Sequence, residues 1–142
     1  MRKEPRTARI LLVEDNPGDV YLVEKALRTR RIDYDLMRYE DGEEAIRAVA
    51  EVNSQVPDLI LLDLNLPKRE GFEILQSIRG RPWLVGVPVA IFTSSEDGRD
   101  RHRVALMGAE RYIHKPPTLD EFVDEVGRAI EEMLGATRET RD

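Results

Sequence analysis

The 142-residue chain has no cysteine and only two histidines. Without thiols there is no disulfide framework, no thiolate zinc site, no iron–sulfur cluster and no cysteine nucleophile, and the composition suits a reducing compartment. Aromatics are scarce, with one Trp and three Phe, so any core must be built from aliphatic side chains. No apolar run approaches the roughly 18 residues of a membrane-spanning helix. The opening Met1-Arg2-Lys3-Glu4-Pro5 also lacks the apolar stretch of a secretory leader. These absences predict a cytoplasmic protein with no membrane partner. Positive charge is in deficit, 22 Lys+Arg against 28 Asp+Glu for a net charge of -6, which disfavours nucleic acid as a partner. No GxGxxG or GxxxxGK[ST] loop is present to cradle a nucleotide.

What the chain does contain is an alternation of short aliphatic runs with longer helical stripes. That alternation is the sequence form of an α/β fold with a parallel sheet. Arg9–Val13 and Leu59–Leu62 are nearly continuous aliphatic runs, as expected of central strands covered on both faces. Tyr34–Tyr39 reads as a more exposed strand, Val87–Thr93 as a fourth and Arg111–His114 as a brief fifth. Asn16-Pro17 is an N-cap followed by a first-turn proline, with Val20, Val23, Ala26 and Leu27 on one stripe after it. Asp41-Gly42 opens a second helix. Phe72, Leu75 and Ile78 mark a third, ended by Gly80 and Pro82, and Val104 and Met107 a weaker fourth. Thr118 and Glu121 form a capping box, and the stripe from Phe122 through Val126 and Ile130 to Met133 and Leu134 predicts a last helix ending near Leu134. One domain over 8–134 is expected, with flexible termini at 1–7 and 135–142.

In an open α/β sheet, ligands bind outside the carboxyl ends of the strands. There the sequence places Glu14-Asp15 after the first strand, Asp63 after the third, Thr93-Ser94 at the end of the fourth and Lys115 after the fifth. Two like charges about 4 Å apart repel by roughly 4 kcal/mol at an effective dielectric near 20, so three converging carboxylates call for a cation. An all-oxygen ligand set suits Mg2+ better than Zn2+.

Glu14-Asp15, Asp63-Leu64-Asn65-Leu66-Pro67, Thr93-Ser94 and Lys115-Pro116 together resemble the receiver domain of two-component response regulators. The segment Ile10–Asp19 and the stretch around Arg79–Trp83 are most similar to stand-alone regulators paired with phytochrome-type kinases. The resemblance implies a doubly wound, flavodoxin-like (βα)5 fold with strand order 2-1-3-4-5. It implies Asp63 as phosphoacceptor in a phosphorelay, charged by a sensor histidine kinase such as a bacteriophytochrome. Mg2+ would be held by Asp15, Asp63, the backbone carbonyl of Asn65 and Glu14, the last directly or through water. Thr93 and Lys115 would bind phosphoryl oxygens, and a cis Lys115–Pro116 bond would aim the ammonium inward. Thr93 and the aromatic Tyr112 would carry the switch to a face formed by helix 4, strand 5 and helix 5, which would signal to a downstream protein. The protein would catalyse only its own phosphorylation and dephosphorylation and otherwise be no enzyme. Two alternatives stand beside this one: a degenerate receiver acting as a scaffold, and an aspartyl-phosphate phosphohydrolase, which typically wants a second acid where Asn65 stands. Ile130, Met133 and Leu134 extend past what a small sheet covers, which predicts a homodimer. His114 and His102 read as structural or solvent-facing, and Trp83 as a plug between helix 3 and strand 4.

Overall fold

The computed structural model describes residues 7–50, 56–66 and 70–141, with side chains described as far as Gly135. Strands β1 (Ala8–Val13), β2 (Tyr34–Tyr39), β3 (Leu59–Leu62), β4 (Val89–Thr93) and β5 (Arg111–His114) alternate with helices α1 (Pro17–Thr29), α2 (Gly42–Ala50), α3 (Gly71–Arg79), α4 (Gly98–Leu106) and α5 (Leu119–Arg141). The five strands form one sheet in the order β2-β1-β3-β4-β5, every pair parallel.

Alternation along the strands sorts the core into two layers. Ile10, Leu12, Leu59, Leu61 and Phe92 face α1 and α5. Leu11, Val13, Ile60, Leu62 and Ile91 face α2, α3 and α4. β1, β3 and β4 are therefore apolar on both sides, whereas β2 and β5, at the sheet edges, are only half-buried. Local chemistry fixes the helix starts. The Asn16 side chain accepts from the backbone N–H groups of Gly18 and Asp19 at 2.8 and 3.3 Å. Asp41 Oδ1 accepts from Glu44 N at 2.9 Å, and Thr118 Oγ1 from Glu121 N at 3.2 Å.

Four expectations are corrected. α5 continues to Arg141 instead of ending near Leu134. Its apolar stripe stops there, but Ala136, Arg138 and Glu139 are strong helix formers and prolong it. Ile130, Met133 and Leu134 are 0, 8 and 3% exposed, so the chain itself covers these three side chains and they do not extend past the sheet as the homodimer argument expected. The plug after α3 is shared: Leu84 is buried in a 3-10 turn over Pro82–Leu84, and Trp83 packs only half-buried against the same core layer with Arg81 against its ring. β4 starts at Val89 because the Val87 N–H is taken by Leu84 O at 3.0 Å in that turn. The expected fraying of residues 1–7 falls, except for Thr7, outside the described residues.

Candidate functional site

The parallel register brings the strand ends to one edge. Asp63 N donates to Val13 O at 3.1 Å, and Lys115 N donates to Thr93 O at 2.8 Å. Period-two alternation then aims the side chains. Glu14 continues the face of Ile10 and Leu12, Asp63 that of Leu59 and Leu61, and Lys115 that of Ile113, so all three point to the side on which α1 and α5 lie. No peptide bond among the described residues is cis, so Lys115–Pro116 is trans. Strand alternation alone turns the ammonium inward, and the expected bend is not needed.

The Lys115 Nζ is the hub. It donates to Glu14 Oε1 at 2.6 Å, Asp19 Oδ2 at 2.8 Å and Asp63 Oδ2 at 3.2 Å, and lies 4.7 Å over the Phe92 ring. Glu14 is 0% and Asp63 4% exposed, whereas Asp15 is exposed. Burial pushes the Glu14 carboxyl up to about 7, and the charge of Asp63 adds to this, while the hydrogen bond from Lys115 pulls the other way. For Lys115, burial works against the charged form, but its bonds to Asp19 and Glu14 outweigh burial and its pKa is raised.

The other expected residues are arranged around this hub. Asn65 N donates to Asp63 Oδ1 at 3.1 Å, and its amide lies 3.5 Å from the buried Thr93 Oγ1, which also accepts from Ser95 N at 3.2 Å. Thr93 thus reaches Asp63 through Asn65. Tyr112 stands apart from the carboxylates. Its hydroxyl donates to Ser95 O at 3.0 Å, and the Arg101 guanidinium lies 5.0 Å over its ring. The His114 imidazole lies 3.8 Å from Glu96 on the surface. Gly71 is obligatory where α3 starts, because a Cβ there would come within 2.5 Å of Leu64 Cα and 2.7 Å of Asp63 O.

Sequence reasoning missed Asp19. A carboxylate in the first turn of a helix reads as a partner for the helix dipole, and that ordinary role hides its contact with a lysine 96 positions away. Arg38 also sits at this edge, its guanidinium 3.4 Å from Glu14 O.

One carboxylate oxygen from each of Glu14, Asp15 and Asp63 can be chosen so that all lie within 4.8 Å of one another. Three hard oxygen donors with no nitrogen or sulfur fit Mg2+ or Mn2+. No described helix is long and apolar enough to cross a membrane.

The chain is 43% identical over 95 residues to the response regulator Rcp1 of Synechocystis, a match spanning 64% of this chain and 65% of that protein. The chain spans between 42 and 85% of the length of the curated relatives it matches, and about half of most of them. The crystal structure of the phosphorylated cyanobacterial phytochrome response regulator RcpA superposes with a TM-score of 0.85 at 32% identity, covering 92% of this chain and 96% of that one. The Mn2+-bound form of Rcp1 gives 0.82 at 34%, covering 89% and 94%. With that metal-bound relative sharing both fold and sequence, and with residues 10–127 matching the response regulator receiver domain, this chain belongs to the receiver family of two-component response regulators.

Proposed function

We propose that Asp63 accepts a phosphoryl group from a phosphohistidine of a sensor histidine kinase, of the phytochrome type given the likeness to RcpA and Rcp1. The observation that carries this reading is the single ammonium, Lys115 Nζ, bonded to both Glu14 and Asp63 beside the carboxylate of Asp15. In the transfer, a bond forms between an Asp63 carboxylate oxygen and phosphorus. The phosphorus–nitrogen bond to the imidazole breaks, and its electron pair stays on the nitrogen. Such a transfer needs little nucleophilic push, so a carboxylate suffices when alignment and charge compensation are supplied. Lys115 supplies one positive charge and turns a hydrogen from Asp63 to a phosphoryl oxygen. Thr93, linked to Asp63 through Asn65, donates its hydroxyl to another. Glu14, Asp15, Asp63 and the Asn65 carbonyl would hold Mg2+, whose charge offsets that gathering on the phosphoryl oxygens.

The hydroxyl of Thr93 is in contact with Ser95 N, and the carbonyl of Ser95 holds Tyr112. Movement of Thr93 toward a phosphoryl group therefore pulls on the loop that anchors Tyr112, and the α4–β5–α5 face changes shape for a downstream protein. Asn65 stands where an aspartyl-phosphate phosphohydrolase typically has a second acid, which favours signalling over phosphomonoester turnover. The signalling domain is taken as 8–134. The test incubates the chain with Mg2+ and a small acyl phosphate and reads intact mass. A Mg2+-dependent phosphoryl adduct in the wild type, absent in Asp63→Asn, is expected. No adduct would point to a phosphorylation-independent scaffold, and continuous phosphomonoester turnover to a phosphohydrolase.

A further inference from the structure

Resting on the reading of Asp63 as phosphoacceptor, we propose that Asp19 is a positioning residue. It fixes the Lys115 ammonium at a pivot from which one hydrogen turns from Asp63 to the incoming phosphoryl group.

An ammonium has three hydrogens to donate, and here each has a carboxylate partner. The distances rank them: 2.6 Å to Glu14, 2.8 Å to Asp19 and 3.2 Å to Asp63. The bond that must be given up on phosphorylation is thus the longest of the three. Both short bonds go to anchored groups. Glu14 is fully buried, and its other oxygen accepts from Asn16 N at 3.2 Å. Asp19 sits in the first turn of α1, its own N–H tied to Asn16 O at 3.1 Å, and α1 is packed into the core by Val20 and Val23. A lysine is otherwise a point charge on a flexible four-carbon stem. Two fixed partners on different elements, with the Phe92 ring 4.7 Å away, leave it one degree of adjustment, toward Asp63.

Without Asp19 the ammonium has two carboxylates left in reach, Glu14 and Asp63, and both belong to the oxygen cluster suited to a divalent cation. Lys115, already bonded to both, is then held by these two alone and competes with that cation more strongly. Asp19 therefore keeps Lys115 close enough to serve Asp63 and far enough to leave it accessible. A negative charge acting only through space would behave differently, because its effect would persist after Lys115 was removed.

The experiment uses the full chain as wild type, Asp19→Asn, Lys115→Ala and the double variant, each checked for a folded melting transition. Adduct formation with Mg2+ and a small acyl phosphate is followed by intact mass, and Mg2+ binding by calorimetry with no phosphodonor present. Asp19→Asn is expected to slow adduct formation about tenfold and to weaken Mg2+ about tenfold. Adding it to Lys115→Ala should change neither quantity further. Wild-type loading and a wild-type Mg2+ isotherm in Asp19→Asn would overturn the proposal, as would an equal loss in the Lys115→Ala background. A wild type that forms no adduct defeats the phosphoacceptor reading instead, and the calorimetric comparison then still decides whether Asp19 holds Lys115 off the cation site.

Discussion

Glu14 is a fully buried carboxylate held against one shared ammonium, and burial sets its behaviour. Its carboxyl titrates near about 7 in the folded chain against an ordinary value of 4.5, so between those values the folded state keeps a proton that the unfolded chain has released. The folded state then binds more protons, and stability falls as pH rises. The contribution is fully present below about 4.5 and is lost as pH passes through about 7. Glu14→Gln keeps the shape and cannot ionise. In metal-free buffer, the melting temperature of wild type minus that of Glu14→Gln is expected to decline from about pH 5 to about pH 8. A difference that stays flat, or that grows with pH, would contradict this. At the same scale, sequence alone was informative about Glu14, Asp15, Asp63, Thr93 and Lys115, because strand ends can be located and the polar residue after an aliphatic run stands out. Asp19 was not legible, since nothing local separates a helix-start carboxylate from one that meets a lysine across the fold.

Among the α-helices, α4 buries the fewest described side chains. Of its nine residues only Val104 is buried. It otherwise rests on the Arg103 guanidinium 3.8 Å over the Phe72 ring of α3, Arg101 5.0 Å over Tyr112 of β5, and a hydrogen bond from Ser95 Oγ to Asp100 at 2.8 Å. By contrast α1 buries Val20, Val23, Ala26 and Leu27. Elements with few buried apolar contacts open below the free energy of global unfolding. Native-state hydrogen exchange is therefore expected to show α4 amides opening at lower free energy than those of α1. Equal protection of the two helices would defeat this account. The weakness was visible beforehand as a thin stripe of Val104 and Met107, just as the aliphatic runs of β1 and β3 announced central strands. The far end of α5 was not visible, because an apolar stripe reports which face is buried and says nothing of where helix propensity alone sustains the chain. The burial of Ile130, Met133 and Leu134 was equally hidden, since the width of sheet available to cover them follows from how five strands assemble.

At the scale of the whole molecule, the two edges of the sheet are built for different ends. The carboxyl edge gathers Glu14, Asp15, Asp19 and Asp63 around one lysine, an excess of negative charge that disfavours the folded state in the absence of a bound cation. The amino edge is tied together by Arg79, at the end of α3. Its guanidinium, on a side chain 17% exposed, donates to Gly108 O at 3.1 Å, Leu84 O at 3.3 Å and Val87 O at 3.0 Å, and to both oxygens of Glu110 at 2.9 Å. Glu110 in turn accepts from Val89 N at 2.6 Å, where β4 begins. Gly108, at φ +98, brings its carbonyl to the arginine in a backbone conformation that other residues rarely adopt. One side chain thus joins α3, the 3-10 turn, the end of α4 and the starts of β4 and β5. Arg79→Ala takes the side-chain donor from the Gly108 and Val87 carbonyls, while Leu84 O keeps its bond from Val87 N and Glu110 its bond from Val89 N, and the change is expected to lower unfolding free energy by about 2 kcal/mol in urea. Because the lesion lies at the other end of the strands from Asp63, phosphoryl loading measured by mass below the unfolding transition should stay at the wild-type rate. A variant as stable as wild type would show that the clamp adds nothing. One that stays folded but loads slowly would show that the two edges are coupled through the sheet.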